Sequence, residues 1–362
     1  MSSSKVILYA YPQSPFAAKL ELVLTLKQIP YHYVEVERMP PRPALHLLNI
    51  TYRRIPVLAI DSDLYLDTSL AVQALEERFP DSPSLSQSHW GLQTATAFHW
   101  SDRAIFQLAA GALPWTELPE VFVKDRSAYR GGQIDPQTMV AARPKVLSAL
   151  RSHIRIQLVS SCRLQDLVEK QLASRSSEKT FLLGTDKPTY LDISLYFSLN
   201  WVSGMSSILL ECWKLFGVLK AVRNTGFGTA DSIFKPASGT SPDFPLTFAW
   251  MTLVKSAVKD ATSTAPGKIS LNPEDAVTSI TSSPASKTIT VDERDPLLVA
   301  KWFAIGDLVE ITPNDVGKVP QKGKLVGLDK VKVSLEVQVE GGKGMCTVHA
   351  PRLGFDVKKI NQ

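Results

Sequence analysis

The sequence predicts an α/β domain, an all-helical domain and a small all-β domain, in that order. Residues 1–80 alternate apolar runs of strand length with runs of helical periodicity, and residues 88–261 carry apolar side chains mostly at helical spacing. Residues 297–362 return to short alternating runs that are typical of strands. Residues 262–296 are rich in Ser, Thr and Pro, so we predict that this segment is a linker.

The composition is that of a soluble globular protein with several domains. The chain has 362 residues, of which 44% are hydrophobic, and its 40 basic and 35 acidic residues are spread along the sequence. No basic run predicts binding to nucleic acid, and no stretch is long enough for a signal peptide or a membrane span. Cys162, Cys212 and Cys346 are far apart and fit neither a disulfide framework nor a metal site. We therefore expect a cytoplasmic protein without a metal.

The first strand, Val6 to Tyr11, is continuously apolar and is expected to be buried on both faces. Ser14 as N-cap and Pro15 at the first helical position predict a helix that ends before Pro30. A second strand follows from Tyr31 to Glu37. A strand, a helix and a strand in this order predict a parallel, right-handed crossover.

The rest of the first domain is expected to contain a short helix, a hairpin and a longer helix. The hairpin joins Ile55–Ile60 to Leu64–Asp67, and the helix begins with Ser69 as its N-cap and stops before Pro80. The resulting order, β-α-β-α-β-β-α, is that of a thioredoxin-like domain.

The start of the hairpin predicts a site for a peptide. A proline is tolerated at the first residue of a strand, and Pro56 in that position is a candidate for a cis bond. A cis bond would turn the N–H and C=O of Ile55 outward, where an extended peptide could pair with them. The free N–H groups of a helix beginning at Ser69 would bind a carboxylate nearby.

The Ile-Pro-Val-Leu run at residues 55–58, followed by Thr-Ser-Leu-Ala-Val at residues 68–72, resembles the glutathione-binding half of the cytosolic glutathione transferases. The resemblance implies that the Ile55 backbone pairs with the cysteinyl residue of glutathione and that Ser69 binds its γ-glutamyl end. Thr68 stands where that family has Glu or Gln, and Asp67 is the candidate to replace that group. The predicted glutathione-binding residues are Tyr11, Arg54, Ile55, Pro56, Asp67, Thr68 and Ser69.

The Ser14-Pro15-Phe16 turn resembles the active site of the serine-type members of that family, in which the serine hydroxyl donates a hydrogen bond to the sulfur of glutathione. A hydroxyl donor at a helix N-terminus lowers the pKa of a thiol by about one unit. We therefore predict that Ser14 is catalytic, with Tyr11 as the rival donor. Helix capping alone is the alternative role for Ser14, and a hydroxyl can fill both roles.

The second domain is expected to contain two long helical stretches, Trp90–Leu113 and Pro144–Leu172, on either side of the loop-rich segment Pro114–Pro136. Thr189 and Asp192 form a capping box before a buried helix, which resembles the central helix of the glutathione transferases. A terminal helix is predicted from 246 to 261. The resemblance to the glutathione transferases covers residues 5–261. Within this range, residues 226–243 look like an insertion.

About five short strands between 306 and 360 predict a small domain that is either a β-barrel or a curled sheet. It resembles the C-terminal extension of a group of fungal proteins related to glutathione transferases. A packing or dimer-stabilising role is the first interpretation, and a weaker likeness to SH3-like barrels leaves a partner-binding role open. His349 and Arg352 are assigned no function.

The predicted function is that of a glutathione-dependent transferase in which a thiolate stabilised by Ser14 attacks a small apolar electrophile. The resemblance implies detoxification or the tailoring of secondary metabolites. The sequence leaves open a homodimer and the choice among conjugation, reductive displacement and isomerisation. Two alternatives also stay open, namely a non-catalytic binding or assembly module and a biosynthetic isomerase or lyase on the same fold.

Overall fold

The computed structural model describes residues 4–154, 167–175, 177, 180–203 and 245–360. Its first part has the predicted thioredoxin-like order. The elements are β1 (Val6–Ala10), α1 (Pro15–Leu26), β2 (His32–Glu35), α2 (Pro43–His46), β3 (Val57–Ile60), β4 (Asp63–Leu66) and α3 (Thr68–Arg78). Strand β1 lies parallel to β2 and antiparallel to β3, which forms a hairpin with β4.

The two helices that border the predicted site begin differently. Ser14 caps α1 as predicted, because its hydroxyl accepts a hydrogen bond from the backbone N–H of Ala17 at 3.3 Å. Helix α3, in contrast, is capped by Asp67 and not by Ser69. The Asp67 carboxylate accepts from the Ser69 N–H at 3.0 Å and from the Ser69 hydroxyl at 2.6 Å. Aspartate is as good an N-cap as serine, so the helix begins before the predicted residue.

The second part is helical, as predicted. A continuous helix runs through α4 (Trp90–Thr96), π-helical turns (Ala97–Ile105) and α5 (Phe106–Gly111). The elements that follow are a 3₁₀ turn (Trp115–Glu117), α6 (Glu120–Arg130), α7 (Pro136–Ile154), α8 (Leu167–Ala173), α9 (Tyr190–Ser203) and α10 (Pro245–Thr264).

Helix α6 corrects the expectation that residues 114–136 form a loop. The two glycines that indicated a loop lie at the end of this helix, where Gly131 adopts a positive φ of 75° as the C-cap. Glycine is the common residue at that position, because it has no Cβ to clash in the left-handed conformation.

The capping box before α9 is confirmed. The Asp192 carboxylate accepts from the Thr189 N–H at 2.8 Å and from its hydroxyl at 2.6 Å, and it also accepts from Trp250 Nε1 in α10 at 2.8 Å. These buried bonds fix the start of α9 and its packing against α10. Four of the sequence predictions concern residues outside the described ranges: the proposed insertion at 226–243, residues 155–166 of the predicted helix Pro144–Leu172, Cys162 and Cys212.

The predicted linker, residues 262–296, contains secondary structure. Strand β5 (Ile269–Ser270) pairs with β2, and helix α11 (Pro273–Thr281) follows. Ala276, Val277 and Ile280 on one face of α11 are buried in the core beside the sheet. The high Ser and Thr content conceals this short apolar face.

The C-terminal strands form a sheet, which is one of the two predicted arrangements, and this sheet is continuous with the N-terminal one. After α12 (Pro296–Val299) they are β6 (Leu308–Pro313), β7 (Gln321–Leu328), β8 (Lys332–Gln338), β9 (Met345–Pro351) and β10 (Phe355–Lys359). Strand β9 lies parallel to β4, so one sheet has the order β10-β6-β7-β8-β9-β4-β3-β1-β2-β5. Pairing with β9 satisfies the backbone groups that β4 would otherwise expose at a sheet edge.

Among the residues that the structure describes, no helix combines the length and the apolar character that crossing a membrane requires.

Candidate active site

A cleft of about 1340 Å³ lies between the thioredoxin-like part and the helical part. All predicted site residues except Ser69 line it, namely Tyr11, Ser14, Arg54, Ile55, Pro56, Asp67 and Thr68. These residues follow β1 and β4, precede β3, or stand at the starts of α1 and α3. The pairing of the strands brings these positions to one edge of the sheet.

Ser14 is buried at the start of α1, and it lines the cleft. Its oxygen accepts the hydrogen bond from Ala17, and within the described residues its hydrogen is donated to no other group. A hydroxyl that accepts one bond can still donate one. The geometry therefore leaves a donor at the positive end of a helix, where an anion is stabilised.

The Ile55–Pro56 peptide bond is cis, as predicted, and β3 begins immediately after it at Val57. In the part of the chain that the structure describes, the Ile55 N–H and C=O make no hydrogen bond. Both groups can pair with the backbone of an extended ligand in the cleft.

The start of α3 presents Thr68 to the cleft. The Ser69 N–H and hydroxyl are both occupied by Asp67, whereas the Thr68 N–H and Oγ1 have no hydrogen-bond partner among the described residues. The free donors at this helix start therefore belong to Thr68, one residue before the predicted Ser69. The preference of aspartate for the N-cap position was the sequence signal that indicated this register.

The C-terminal strands also contribute to the cleft, through the loop between β6 and β7. Arg54 donates hydrogen bonds to the Asp315 carboxylate and to the Val316 carbonyl oxygen, the latter from Nε at 3.2 Å. Burial disfavours the Asp315 carboxylate, but Arg54 more than offsets this effect and holds the pKa of Asp315 below its usual value. No motif in the sequence indicated that this loop reaches the site.

The same loop also contacts the helical part. The Gly317 N–H donates to the Tyr129 carbonyl oxygen of α6 at 2.7 Å. Three regions of the chain therefore meet at one side of the cleft.

A buried ion pair lies behind the site. Lys19 of α1 donates to both carboxylate oxygens of Asp102 at 2.8 Å and to the Tyr190 hydroxyl at 3.1 Å. Because Lys19 is fully buried, the pair joins α1 to the π-helical turns and to α9. Sequence reasoning missed it, because single charged residues in separate helices carry no pattern.

Part of the cleft lining is apolar. It is lined by Phe106, Leu108, Leu113, Trp115, Leu118, Phe122 and Met139. Such a surface suits the apolar part of a small molecule.

Comparison with known proteins agrees with this site. Residues 8–83 match the family model described as glutathione S-transferase, N-terminal domain. Glutathione S-transferase U1 of Arabidopsis thaliana is 30% identical over 96 residues, which are 26% of this chain and 42% of that protein. The N-terminal part of the chain is therefore similar to the N-terminal domain of the glutathione S-transferases. The match spans less than half the length of that relative.

Two further similarities extend beyond the N-terminal part of this chain. A probable maleylacetoacetate isomerase of Caenorhabditis elegans is 27% identical over 156 residues, which are 42% of this chain and 70% of that protein. The crystal structure of a GST-like protein from Pseudomonas syringae superposes with a TM-score of 0.63 at 23% identity, and covers 99% of this chain and 100% of that one. Residues 106–213 match a domain of unknown function, DUF7962. The bacterial structure shares the fold along nearly the whole chain, including the C-terminal strands.

Proposed function

We propose that the chain is a glutathione-dependent transferase that binds glutathione along the wall formed by Ser14, Ile55 and Thr68. One observation carries the proposal. A free hydroxyl at a helix start, an unpaired peptide backbone and a second helix start converge on one cleft. These groups match a thiol, a peptide backbone and a carboxylate, which glutathione carries together.

The proposed binding mode assigns each part of glutathione to a group of the cleft. The cysteinyl backbone pairs with the Ile55 N–H and C=O as an added strand. The γ-glutamyl carboxylate accepts from the Thr68 N–H and hydroxyl at the start of α3. The Asp67 carboxylate, next to Thr68, attracts the γ-glutamyl ammonium group.

In the proposed reaction Ser14 donates to the sulfur and stabilises its thiolate. The ordinary pKa of a thiol, about 8.5, leaves only a few per cent ionised at pH 7, and lowering it by about one unit raises this fraction to about a quarter. The thiolate attacks an electrophilic carbon, a C–S bond forms, the leaving group departs with the bonding electrons, and the thiol proton passes to solvent.

Glutathione binding and turnover of 1-chloro-2,4-dinitrobenzene test this proposal. We expect wild type to bind glutathione by calorimetry and to form the conjugate. Ser14→Ala should lower kcat/KM about tenfold, because the loss of a hydrogen bond to a charged group corresponds to about one pKa unit of the thiol. Tyr11→Phe is the control for the rival donor and should keep most of the activity. A Ser14→Ala enzyme with wild-type kcat/KM would exclude the mechanism.

A glutathione-assisted isomerase is the second candidate, and the match to 70% of the length of the Caenorhabditis elegans protein favours it. Addition of the thiolate to a conjugated cis-alkene gives a single bond that can rotate, and expulsion of the thiolate then yields the trans isomer. The discriminating measurement is the free thiol, which a transferase consumes and an isomerase regenerates. Glutathione binding without turnover of either probe would indicate a non-catalytic binding module.

A further inference from the structure

One wall of the cleft carries more positive charge than its carboxylates compensate. We define the arginine wall as Arg42, Arg53, Arg54, Arg103 and Arg126, all of which line the cleft. Within the described residues, the carboxylates that form ion pairs with this wall are those of Asp125 and Asp315. Four of the five guanidinium groups therefore share two carboxylates, and the fifth, that of Arg42, forms no ion pair with a described carboxylate.

Each of the two carboxylates is shared. Asp125 lies 2.7 Å from Arg53 Nη2 and 3.4 Å from Arg126 Nη1. Asp315 binds Arg54 and lies 3.9 Å from Arg103 Nε.

Arg42 contacts no carboxylate among the described residues. It is 6% exposed, and it donates to the backbone carbonyl oxygens of Glu37 at 2.8 Å, Arg38 at 3.1 Å and Arg53. Burial lowers the pKa of Arg42. Tyr11 and Asp125 oppose this change, whereas Arg126 and Arg53 add to it. Neighbouring cations held together in a partly buried site attract an anion.

Helix α6 holds the accessible part of this wall next to an apolar surface. The Arg126 guanidinium lies over the Phe122 ring, 4.6 Å from its centroid, and 5.8 Å from the centroid of Tyr129. Phe122 continues into the apolar lining formed by Trp115, Leu118 and Met139. The cations and the apolar surface are therefore adjacent.

Glutathione alone does not neutralise this wall. In the proposed binding mode its γ-glutamyl carboxylate lies at Thr68 and its ammonium group at Asp67. Its glycyl carboxylate can pair with one arginine, which leaves about two uncompensated positive charges on the wall.

We propose that the second substrate is an anion, a carboxylate with an apolar electrophilic body, whose carboxylate binds the arginine wall at Arg126 and Arg42. Its apolar body lies on Phe122 and the adjacent lining. The inference rests on the proposed function, and it replaces the uncharged apolar electrophile expected from the sequence. A guanidinium binds a carboxylate through two parallel hydrogen bonds, so Arg126 determines specificity by direct contact.

A matched pair of acceptors tests the charge alone. 4-Chloro-3-nitrobenzoate and 4-chloro-3-nitrobenzamide differ in charge but have the same leaving group, and each conjugation forms a C–S bond and releases chloride. Each kcat/KM is divided by the rate constant of the uncatalysed reaction with glutathione, which corrects for reactivity. We expect wild type to prefer the benzoate about tenfold, a preference that declines as the salt concentration rises.

Three variants of α6 test whether the arginine wall causes the preference for the benzoate. Arg126→Gln should abolish most of the preference for the benzoate over the benzamide, while Arg126→Lys should retain part of it. Lys124→Gln removes the same charge from an exposed position on this helix outside the cleft, and it should leave the preference unchanged. Equal corrected kcat/KM values for the two acceptors in wild type, or an unchanged preference in Arg126→Gln, would overturn the inference.

Direct binding separates this inference from the proposed function. If neither acceptor turns over and glutathione does not bind, the transferase assignment fails. Calorimetry with the two acceptors then measures binding at the anion site directly. Tighter binding of the benzoate to wild type than to Arg126→Gln supports the site, and equal binding of benzoate and benzamide to wild type refutes it.

Discussion

Arg54, which stands immediately before the cis Ile55–Pro56 bond, forms an ion pair with Asp315 in the loop between β6 and β7. The two residues are 261 positions apart in the chain. The contact places the C-terminal strands beside the proposed glutathione site. The loop between β6 and β7 is therefore part of the cleft lining.

Asp315→Asn should destabilise the protein. The substitution leaves the partly buried Arg54 guanidinium without its carboxylate, which we expect to lower the free energy of unfolding by about 1–2 kcal/mol at neutral pH. Chemical denaturation measures this change. Asp356→Asn is the control, because Asp356 is an exposed acid on β10, and its effect should stay within about 0.5 kcal/mol. Equal stability of the two variants would show that the ion pair contributes nothing.

Gly317→Ala should disturb the contact between this loop and α6. A Cβ at residue 317 would lie 2.4 Å from a ring carbon of Tyr129, and the φ of +64° already disfavours alanine. Gly341→Ala is a matched control, since Gly341 has a φ of +70° but its added Cβ would have no neighbour closer than 3.9 Å. We expect Gly317→Ala to lower the melting temperature more than Gly341→Ala does. Equal shifts in melting temperature would mean that the Tyr129 ring moves aside without destabilising the protein.

Thr68→Val should weaken glutathione binding more than Ser69→Ala does. Thr68 presents a free hydroxyl to the cleft, whereas the Ser69 hydroxyl is bound to Asp67. Valine keeps the shape and removes the hydrogen bond to a carboxylate, so we expect Kd to rise about tenfold, against about twofold for Ser69→Ala. Calorimetry with glutathione measures both. The reverse order would restore the serine as the anion site.

The N-terminal site was largely predictable from the sequence because its signals are local. Ser14 before a proline, a proline opening a strand at Pro56 and a polar residue at the start of α3 each depend on neighbours in the chain. The predicted N-cap of α3, Ser69, was wrong because the sequence offers adjacent N-cap candidates, and the structure uses Asp67.

The C-terminal contribution was not predictable, because it depends on pairing between distant segments. Alternation in residues 345–349 indicates a strand but carries no information on its partner, which proves to be β4. A single Asp315 in a loop has no pattern that indicates Arg54. The charge of the arginine wall was hidden for the same reason, since its members come from separate helices and loops.

The junction between β4 and β9 is held by a buried polar cluster. His349 Nε2 lies 2.9 Å from Asp63 Oδ1, and His349 Nδ1 lies 2.8 Å from the Ser334 hydroxyl. Burial lowers the pKa of His349, although Asp63 partly opposes the change. Burial disfavours the Asp63 carboxylate, but hydrogen bonds, His349 among their donors, more than offset this and lower the pKa of Asp63. A neutral His349 that donates to an ionised Asp63 and accepts from Ser334 satisfies all three groups.

This cluster predicts a loss of stability in mild acid. Below about pH 6.5 the histidine of the unfolded chain binds a proton, whereas the folded protein keeps His349 neutral because its pKa is lowered. Unfolding then takes up a proton, so the free energy of unfolding falls as the pH decreases, by at most about 1.4 kcal/mol per pH unit for this residue.

His349→Gln keeps an N–H donor near Asp63 but cannot titrate. We expect it to be less stable than wild type at pH 7, with a smaller loss between pH 6.5 and 5. His32 and His153 also have lowered pKa values and are present in both proteins, so the difference between the two denaturation series isolates His349. Parallel pH dependence in the two proteins would show that His349 takes up no proton on unfolding in this range.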